Sequence, residues 1–226
     1  TKTNINNAVY IWNPDDQNFA GYVGGVSVNG GSNLIASSQA FWVQANGPAP
    51  VLRATENVKS ASSVGFKSVT DADLLRLRVT GNGLADEAVI RVLPGATTGF
   101  DAGYDAYEKF SANQPSPNIC SRMPGGMNAM VNTVPPFHVD TTFIVKVKVG
   151  VTGSYEIQFT ELSGAFGAAC LEFEDVVEGI SVPMLEGGSY SFAMGAAYNG
   201  NRFRVHASAP MTAASEPASC SYMNDG

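Results

Sequence analysis

The chain has 226 residues, a net charge of −7, and a hydrophobic share of 44 % against a charged share of only 15 %. This composition excludes disorder, which requires fewer apolar residues and more charge, and suits one large all-β domain or two small ones. The 13 Lys and Arg residues are scattered, so nucleic acid is excluded as an expected partner. No apolar run approaches the roughly 20 residues that cross a bilayer, so no membrane span is expected.

Residues 1–56 are rich in Asn and Gly and contain both tryptophans, Trp12 and Trp42. Strands are predicted at AVYIW (8–12) and QAFWVQA (39–45), and a hairpin at GGVSVNGG (24–31). We interpret this N-terminal segment as β-rich: it either ends a preceding β domain or supplies the first strands of a sandwich.

Apolar and polar residues alternate throughout residues 74–207. The alternating runs are LLRLRV (74–79), TFIVKVKV (142–149), SYEIQF (154–159), LEFED (171–175), SYSFAM (189–194) and NRFRVH (201–206). Side chains alternate faces along a strand, so each run has one buried and one solvated face, which is typical of antiparallel sheets. Turn sequences such as EGGS (186–189) and YNGN (198–201) separate the runs.

The predicted fold is therefore an all-β antiparallel β-sandwich, jelly-roll or Ig-like, or two packed β subdomains. The predicted core consists of Leu75, Leu77, Phe143, Val145, Tyr155, Ile157, Phe159, Phe192 and Phe203. Arg76, Arg78, Lys146 and Lys148 are assigned to the solvated faces. One helical turn is predicted over 105–110, and no long helix.

Two polar stretches flank the alternating region. Residues 57–73 are predicted to be a connection, and the Ala/Ser/Pro-rich residues 208–226 a linker or tail. The chain also begins with Thr1 instead of Met. We therefore expect a processed or truncated part of a longer protein, with neighbouring domains as partners.

The three cysteines, Cys120, Cys170 and Cys220, are widely spaced. They show no zinc-type spacing. A disulfide between Cys120 and Cys170 is predicted for an oxidising compartment, with Cys220 left over. The sequence does not fix this connectivity.

The stretch ATTGFDAGYDAYEKF (96–110) mixes acids with aromatic residues and has two interpretations. Asp101 and Asp105 could ligate a structural calcium ion, because Ca²⁺ takes carboxylate and carbonyl oxygens. Alternatively they cap turns, with Phe100 and Tyr104 packed inward. No other cofactor is expected.

Large aromatic residues offer a different possibility, a platform that binds glycans. Trp12 and Trp42 are the candidate ligand-binding residues, with Tyr10 and Phe41 beside them. Because Phe41 and Trp42 are adjacent in a predicted strand, at most one of them is expected to face solvent.

Paired carboxylates would suit a hydrolase, since glycosidases place two acids on opposite sides of the scissile bond. The candidate groups are Asp86 with Glu87, Asp101 with Asp105, and Glu172 with Glu174 and Asp175. Such acids more commonly carry surface charge. There is also no GxSxG elbow to present a nucleophilic serine.

The order of motifs resembles a known β-sandwich module. The segment 10–13 fits Y-x-W-N, 35–45 fits I-x-x-x-Q-x-F-x-V-x-A, 86–90 fits D-E-x-x-I/V, and 96–106 fits A-T-x-G-F-D-x-x-Y-D-A. The module occurs in large secreted surface proteins of Bacteroidota-type bacteria, just before the C-terminal sorting domain of the type IX secretion system. The similarity spans nearly all of residues 8–207, although LEFED replaces the usual L-E-D.

This resemblance implies export and exposure on the outer cell surface. It implies a non-catalytic structural or adhesive role, with self-association or surface glycans as partners and assembly into a layer or fibre as one outcome. Thr141, in the Asp140-Thr141-Thr142 segment, resembles an O-glycosylation acceptor of such bacteria. The alternatives are a carbohydrate-binding module of a secreted polysaccharide-degrading protein, and a hydrolase that uses paired carboxylates.

Overall fold

A computed structural model describes residues 1–60 and 73–208. The strands in these ranges are β1 (Lys2–Thr3), β2 (Ile5–Asn13), β3 (Asn18–Val23), β4 (Val26–Val28), β5 (Trp42–Ala45), β6 (Val51–Leu52), β7 (Asp73–Gly81), β8 (Leu84–Val92), β9 (Ala106–Tyr107), β10 (Asn118–Arg122), β11 (Asn128–Val134), β12 (Thr141–Lys148), β13 (Gly153–Leu162), β14 (Leu171–Asp175), β15 (Ile180–Pro183), β16 (Ser189–Met194) and β17 (Phe203–Ala207). The helical elements are α1 (Ala165–Ala168) and 3₁₀ turns at Glu56–Val58 and Pro124–Gly126. The all-β prediction is confirmed. The helical turn predicted over 105–110 is wrong, because strand β9 lies there.

The strands form three sheets. The large sheet has the order β15-β14-β17-β12-β10-β11-β8-β7-β13-β16, with β9 paired to β11. A four-stranded N-terminal sheet has the order β4-β3-β2-β5, and β1 pairs with β6. Among the described strand pairs, β11 with β8 is parallel, and the others are antiparallel. Most of the predicted connection, residues 61–72, and the predicted tail from residue 209 lie outside the described residues.

The large sheet curls so that its two halves pack face to face. Phe159 on β13 contacts Phe173 on β14 at 5.4 Å between ring centroids, and Phe192 on β16 contacts Phe203 on β17 at 4.8 Å. All nine residues of the predicted core are buried in this one cluster. Each large apolar side chain buried there contributes about 1.5–3 kcal/mol, so the sandwich is held chiefly by these inward faces.

The N-terminal sheet covers the opposite face of β7, β8 and β11. A second apolar cluster joins Ala8, Tyr10, Val23, Val26 and Val28 of the N-terminal sheet to Leu74, Val89, Ala106, Met130 and Val131. Arg76 consequently lies beneath another layer, where its guanidinium donates to the carbonyl of Ser27 at 2.8 Å. The predicted solvated face of β7 is therefore wrong at Arg76.

Lys146 also departs from its predicted position. Its residue is only 8 % exposed, and its ammonium donates to Asn199 Oδ1 at 2.8 Å. The loop between β16 and β17 folds over this part of β12 and removes the side chain from water. Lys148, two residues further along the strand, is exposed as predicted.

The predicted Cys120–Cys170 disulfide is wrong. Cys120 is a free, buried thiol, whereas Cys170 is disulfide-bonded. Cys120 lies on β10 and Cys170 precedes β14, and β12 and β17 stand between them in the sheet. Three inter-strand spacings amount to about 14 Å, well beyond the Cα separation that a disulfide bridges. Cys220 lies outside the described residues.

Tight hairpins connect neighbouring strands where the sequence supplies residues that tolerate positive φ. Gly24 and Gly25 join β3 to β4 with φ of 55° and 95°, which confirms the hairpin predicted at 24–31. Asn82 and Gly83 join β7 to β8 with φ of 56° and 76°. Both central positions of such a turn need positive φ, which most other residues adopt only under strain.

Candidate functional site

The two tryptophans predicted to bind glycans lie close together on the N-terminal sheet. Phe19 on β3 stands between them, with ring centroids 5.3 Å from Trp12 and 5.3 Å from Trp42. Both contacts are edge-to-face, at 80° and 86°, a favourable geometry that fixes the indole rings. Trp12 is nevertheless 37 % exposed and Trp42 is 46 % exposed. The structure therefore brings the two predicted residues into one surface.

Phe41, the residue before Trp42, also faces solvent. It is 41 % exposed, so the expectation that only one of Phe41 and Trp42 faces solvent is wrong. The reason is local: β5 begins at Trp42, and the strand alternation does not apply to the residue before it. Tyr10, by contrast, is fully buried beneath the sheet. We call Trp12, Phe19 and Trp42, which are joined by the contacts of Phe19, the aromatic platform.

The exposure of the platform follows from its place in the sheet. β5 is an edge strand, paired on one side to β2, so Trp42 has a neighbouring strand on one side only. Contiguous exposed apolar surface is uncommon on soluble monomers and marks interaction sites. An indole offers an electron-rich face together with an N–H donor, which suits a ligand that presents both C–H groups and hydroxyls.

A cavity of about 710 Å³ opens at Gln44 and Ala45 of strand β5, beyond Trp42. Its lining residues are Asn6, Gln44, Ala45, Asn46, Phe100, Ala102, Tyr107, Glu108 and Lys109, and we call it the polar cleft. Phe100 stacks on Tyr107 with 4.0 Å between centroids and 10° between planes. The Lys109 ammonium lies 5.2 Å from the ring centroid of the buried Tyr10. The cleft thus combines amides, an aromatic wall and one cation.

Asp101 and Asp105 use their oxygens to hold the 96–105 loop. Asp101 Oδ2 accepts from the Thr97 N–H, and Asp105 Oδ2 accepts from the Asp101 N–H, each at 2.6 Å. Asp105 Oδ1 accepts from the Thr133 N–H at 2.6 Å, which ties the loop to β11. Burial raises the pKa of Asp105 to about 6, although these backbone hydrogen bonds favour the charged form. The geometry matches turn-capping acids.

The calcium interpretation gains no support from this arrangement. In the part of the chain that the structure describes, no group of three or more His, Cys, Asp or Glu residues is placed to hold a metal ion. The same loop contains one further correction: Phe100 is half-buried, but Tyr104, predicted to pack inward, is exposed. Its backbone carbonyl, not its ring, contacts β11, by accepting from Thr133 Oγ1 at 3.0 Å.

Asp86 and Glu108 form a buried acidic pair that the sequence did not indicate. Asp86 is fully buried and accepts from Asn29 Nδ2 at 2.6 Å and from the Ile119 N–H at 2.7 Å. Burial raises the pKa of Asp86 to about 7. Glu108 is only 8 % exposed, and neither carboxylate oxygen has a hydrogen-bond partner among the described residues.

Burial, reinforced by the neighbouring charge of Asp86, raises the pKa of Glu108 well above its usual range. Burial likewise raises the pKa of the Cys120 thiol, with Glu108 and Asp86 as further causes. A carboxylate without partners in such surroundings is held in its neutral form. No alternation or spacing signals this pair, because Glu108 lies just after the two-residue strand β9.

Three other candidate acids of a hydrolase, Glu87, Glu174 and Asp175, are engaged in ion pairs. Glu87 pairs with Arg76 at 3.3 Å and with Arg78 at 3.2 Å. Asp175 pairs with Arg202 at 2.6 Å. None of the acids Asp86, Glu87, Glu172, Glu174 and Asp175 lines the polar cleft. The hydrolase hypothesis gains no support from their positions.

Thr141, the predicted glycosylation site, opens strand β12. Its hydroxyl donates to the Val139 carbonyl at 3.0 Å, and the residue is half-buried. It borders a separate cavity of about 350 Å³ whose walls include Phe137 and Phe143. Modification of Thr141 stays a prediction.

Comparison with known proteins does not assign the chain to a family or a function. No family model matches the chain, and neither a curated protein nor a solved structure matches it. Within the described ranges, no helix has the length and apolarity needed to cross a membrane. The resemblance to secreted surface modules stays a prediction.

Proposed function

We propose that this chain is a non-catalytic adhesive module of a larger secreted cell-surface protein, and that it binds carbohydrate through the aromatic platform. The observation that carries the proposal is the exposure of Trp12 and Trp42 while Phe19 fixes both rings edge-to-face. A rigid, exposed aromatic surface binds a ligand without a large ordering cost, because its side chains are already in place.

Carbohydrate is the ligand class that suits this surface. Sugar rings present C–H groups that pack on the faces of aromatic rings, and hydroxyls that need hydrogen-bond partners. The platform supplies the first kind of contact, and the amides of the adjoining polar cleft supply the second. Secretion, surface attachment and assembly into a layer or fibre follow from the sequence resemblance and stay predictions.

A non-catalytic role is supported by what the acids do. Asp101 and Asp105 hold backbone amides, and Glu87 is paired with two arginines. Carboxylates held in this way serve the fold and are not presented to a ligand at the platform.

Binding can be tested with a glycan array, followed by affinity electrophoresis with the polysaccharides that bind. We expect Trp42→Ala and Trp12→Ala each to weaken binding at least about tenfold, as for a central aromatic residue of an interface. Tyr104→Ala is the matched control, since Tyr104 is an exposed aromatic residue outside the platform. Absence of binding to every glycan tested, or tryptophan variants that bind like the parent protein, would contradict the proposal.

A further inference from the structure

We propose that the polar cleft is a second subsite of the platform, and that Lys109 makes it selective for anionic sugars of the uronic acid class. This inference rests on the proposed function, because it names the ligand class of the same surface. It goes further by assigning a charge preference to a cleft that lies beyond the tryptophans.

The cleft begins at Gln44, two residues beyond Trp42 on strand β5. Trp42 and Gln44 are two residues apart, so they share one face of the strand at a separation of about 7 Å. Tyr10 lies directly opposite Trp42 in the adjoining strand, and the Lys109 ammonium sits over the Tyr10 ring. A ligand stacked on Trp42 therefore reaches Gln44 and Lys109 within a short distance.

The amides of the cleft offer both donors and acceptors. Asn46 Nδ2 donates to Asn6 Oδ1 at 2.7 Å, which leaves the Asn6 amino group and the Asn46 carbonyl for other partners. Gln44 Nε2 donates to the Ala45 carbonyl, which leaves the Gln44 carbonyl. A hydroxyl both donates and accepts, so such a set of amides is suited to several hydroxyls in a row.

Lys109 supplies a positive charge that the described part of the protein does not neutralise. Its ammonium makes a cation–π interaction with Tyr10, and none of the ion pairs among the described residues includes it. The adjacent acid, Glu108, has both oxygens buried, and burial raises its pKa well above the usual range. A carboxylate on the ligand would meet a cation with no internal competitor.

The net charge of −7 does not outweigh this local cation. At physiological ionic strength the Debye length is about 8 Å, so acids elsewhere on the surface are largely screened. Asp101 and Asp105 belong to the same loop as Phe100, but neither is among the residues that line the cleft. The sign of the charge within the cleft is therefore set by Lys109.

The test uses the full chain with polygalacturonate and its fully methyl-esterified form, which has the same backbone without the charge. We expect the acidic polymer to bind about fivefold more tightly at 150 mM salt, the upper range for one exposed ion pair. The difference should shrink at 500 mM salt. Lys109→Gln should remove it, and Lys109→Arg should retain it.

Lys148→Gln is the matched control, since the Lys148 ammonium also lies over an aromatic ring, 5.1 Å from Phe110, but outside the cleft. Thermal melts of each variant establish that it is folded. Equal binding of both polymers, an unchanged preference in Lys109→Gln, or array hits confined to neutral glycans would overturn this inference and leave the platform intact. Binding to no glycan at all would overturn the proposed function as well.

Discussion

At the scale of single residues, Asp175 and Arg202 form a buried ion pair inside the sandwich. Arg202 Nη2 donates to Asp175 Oδ2 at 2.6 Å, and the Tyr190 hydroxyl donates to the same oxygen at 3.0 Å. The guanidinium also lies 5.3 Å from the ring centroids of both Phe192 and Phe203. Burial opposes ionisation of Asp175, but these hydrogen bonds outweigh it and hold the pKa of Asp175 below its ordinary value. The pair thus joins β14 to the strands that flank the core.

Asp175→Asn should therefore destabilise the protein by about 3–5 kcal/mol, because it leaves a buried guanidinium without its counter-charge. Glu178→Gln is the control: Glu178 contacts the same Arg202 at 3.2 Å, but its side chain is 54 % exposed. Exposed pairs contribute only about 0–1 kcal/mol. Urea denaturation measures both variants, and similar losses for the two would refute the assignment of the buried pair.

Lys146 and Lys148 provide a second residue-scale comparison, on one strand. Lys146→Asp should cost about 2 kcal/mol or more, because it places an acid in a buried position and removes the donor to Asn199. Lys148→Asp should change the free energy of unfolding by less than about 0.5 kcal/mol, as expected for an exposed site. Denaturation curves of the two variants measure these changes. A Lys146→Asp variant with an unchanged free energy of unfolding would show that the side chain is solvated.

At the scale of elements, the N-terminal sheet turns an outer face of the sandwich into an interface. Arg76 and Glu87, diagonal neighbours on the adjacent strands β7 and β8, have side chains that are only 18 % and 15 % exposed. Glu87 also accepts from the Asn29 N–H at 2.9 Å, so the ion pair is tied to the covering layer. A charged strand face can thus be buried when its charges are paired and hydrogen-bonded.

The N-terminal sheet also explains why the sequence predicted the burial of some side chains and not of others. Period-2 alternation identified six strands of the large sheet, β7, β12, β13, β14, β16 and β17, and their inner faces. It did not identify β10 and β11, because most of their residues are buried on both faces and do not alternate in polarity. It assigned Arg76 to water because alternation records polarity, and polarity does not distinguish a solvated arginine from one paired beneath another sheet. The same limit applies to Lys146, which a distant loop covers.

The candidate site, like the fold, could be predicted only in part from the sequence. Trp12 and Trp42 stood out as large aromatic residues in strand-like segments, and they do share a surface. The polar cleft could not be anticipated, because Asn6, Gln44 and Lys109 come from three separate segments that only the packed fold brings together. Nor does any local pattern distinguish Glu108, which lies just after the two-residue strand β9.

At the scale of the whole molecule, two groups of acids respond to pH in opposite senses. Burial raises the pKa of Asp86 to about 7 and the pKa of Asp105 to about 6, and it raises the pKa of Glu108 well above its ordinary value. Hydrogen bonds from their partners outweigh burial at Asp175 and Glu174 and lower the pKa of both. The first group stabilises the fold when protonated and the second when ionised, so the pH of maximum stability depends on their balance.

The linkage between protonation and folding gives the direction in which Asp86 and Glu108 change the stability of the protein with pH. Unfolded Asp and Glu release their protons near pH 4, whereas Asp86 and Glu108 of the folded protein keep theirs to higher pH. Above pH 4 the folded state therefore binds more protons than the unfolded state. For these two residues, the free energy of unfolding falls as pH rises. Asp175 and Glu174 act in the opposite sense and lose their contribution as pH falls below about 4. The free energy of unfolding should therefore be highest near pH 4–5 and decline by a few kcal/mol toward pH 8.

Glu108→Gln isolates the contribution of the buried acid, because glutamine has the same shape and cannot ionise. The variant should show a shallower decline between pH 5 and pH 8 than the parent protein. Glu156→Gln is the comparison variant, since it removes a carboxylate from the half-buried outer face of β13 and leaves the buried pair in place. Denaturation series at several pH values would give both slopes. Stability that rises from pH 5 to pH 8, or a Glu108→Gln slope equal to that of the parent, would show that Glu108 is ionised in the folded protein.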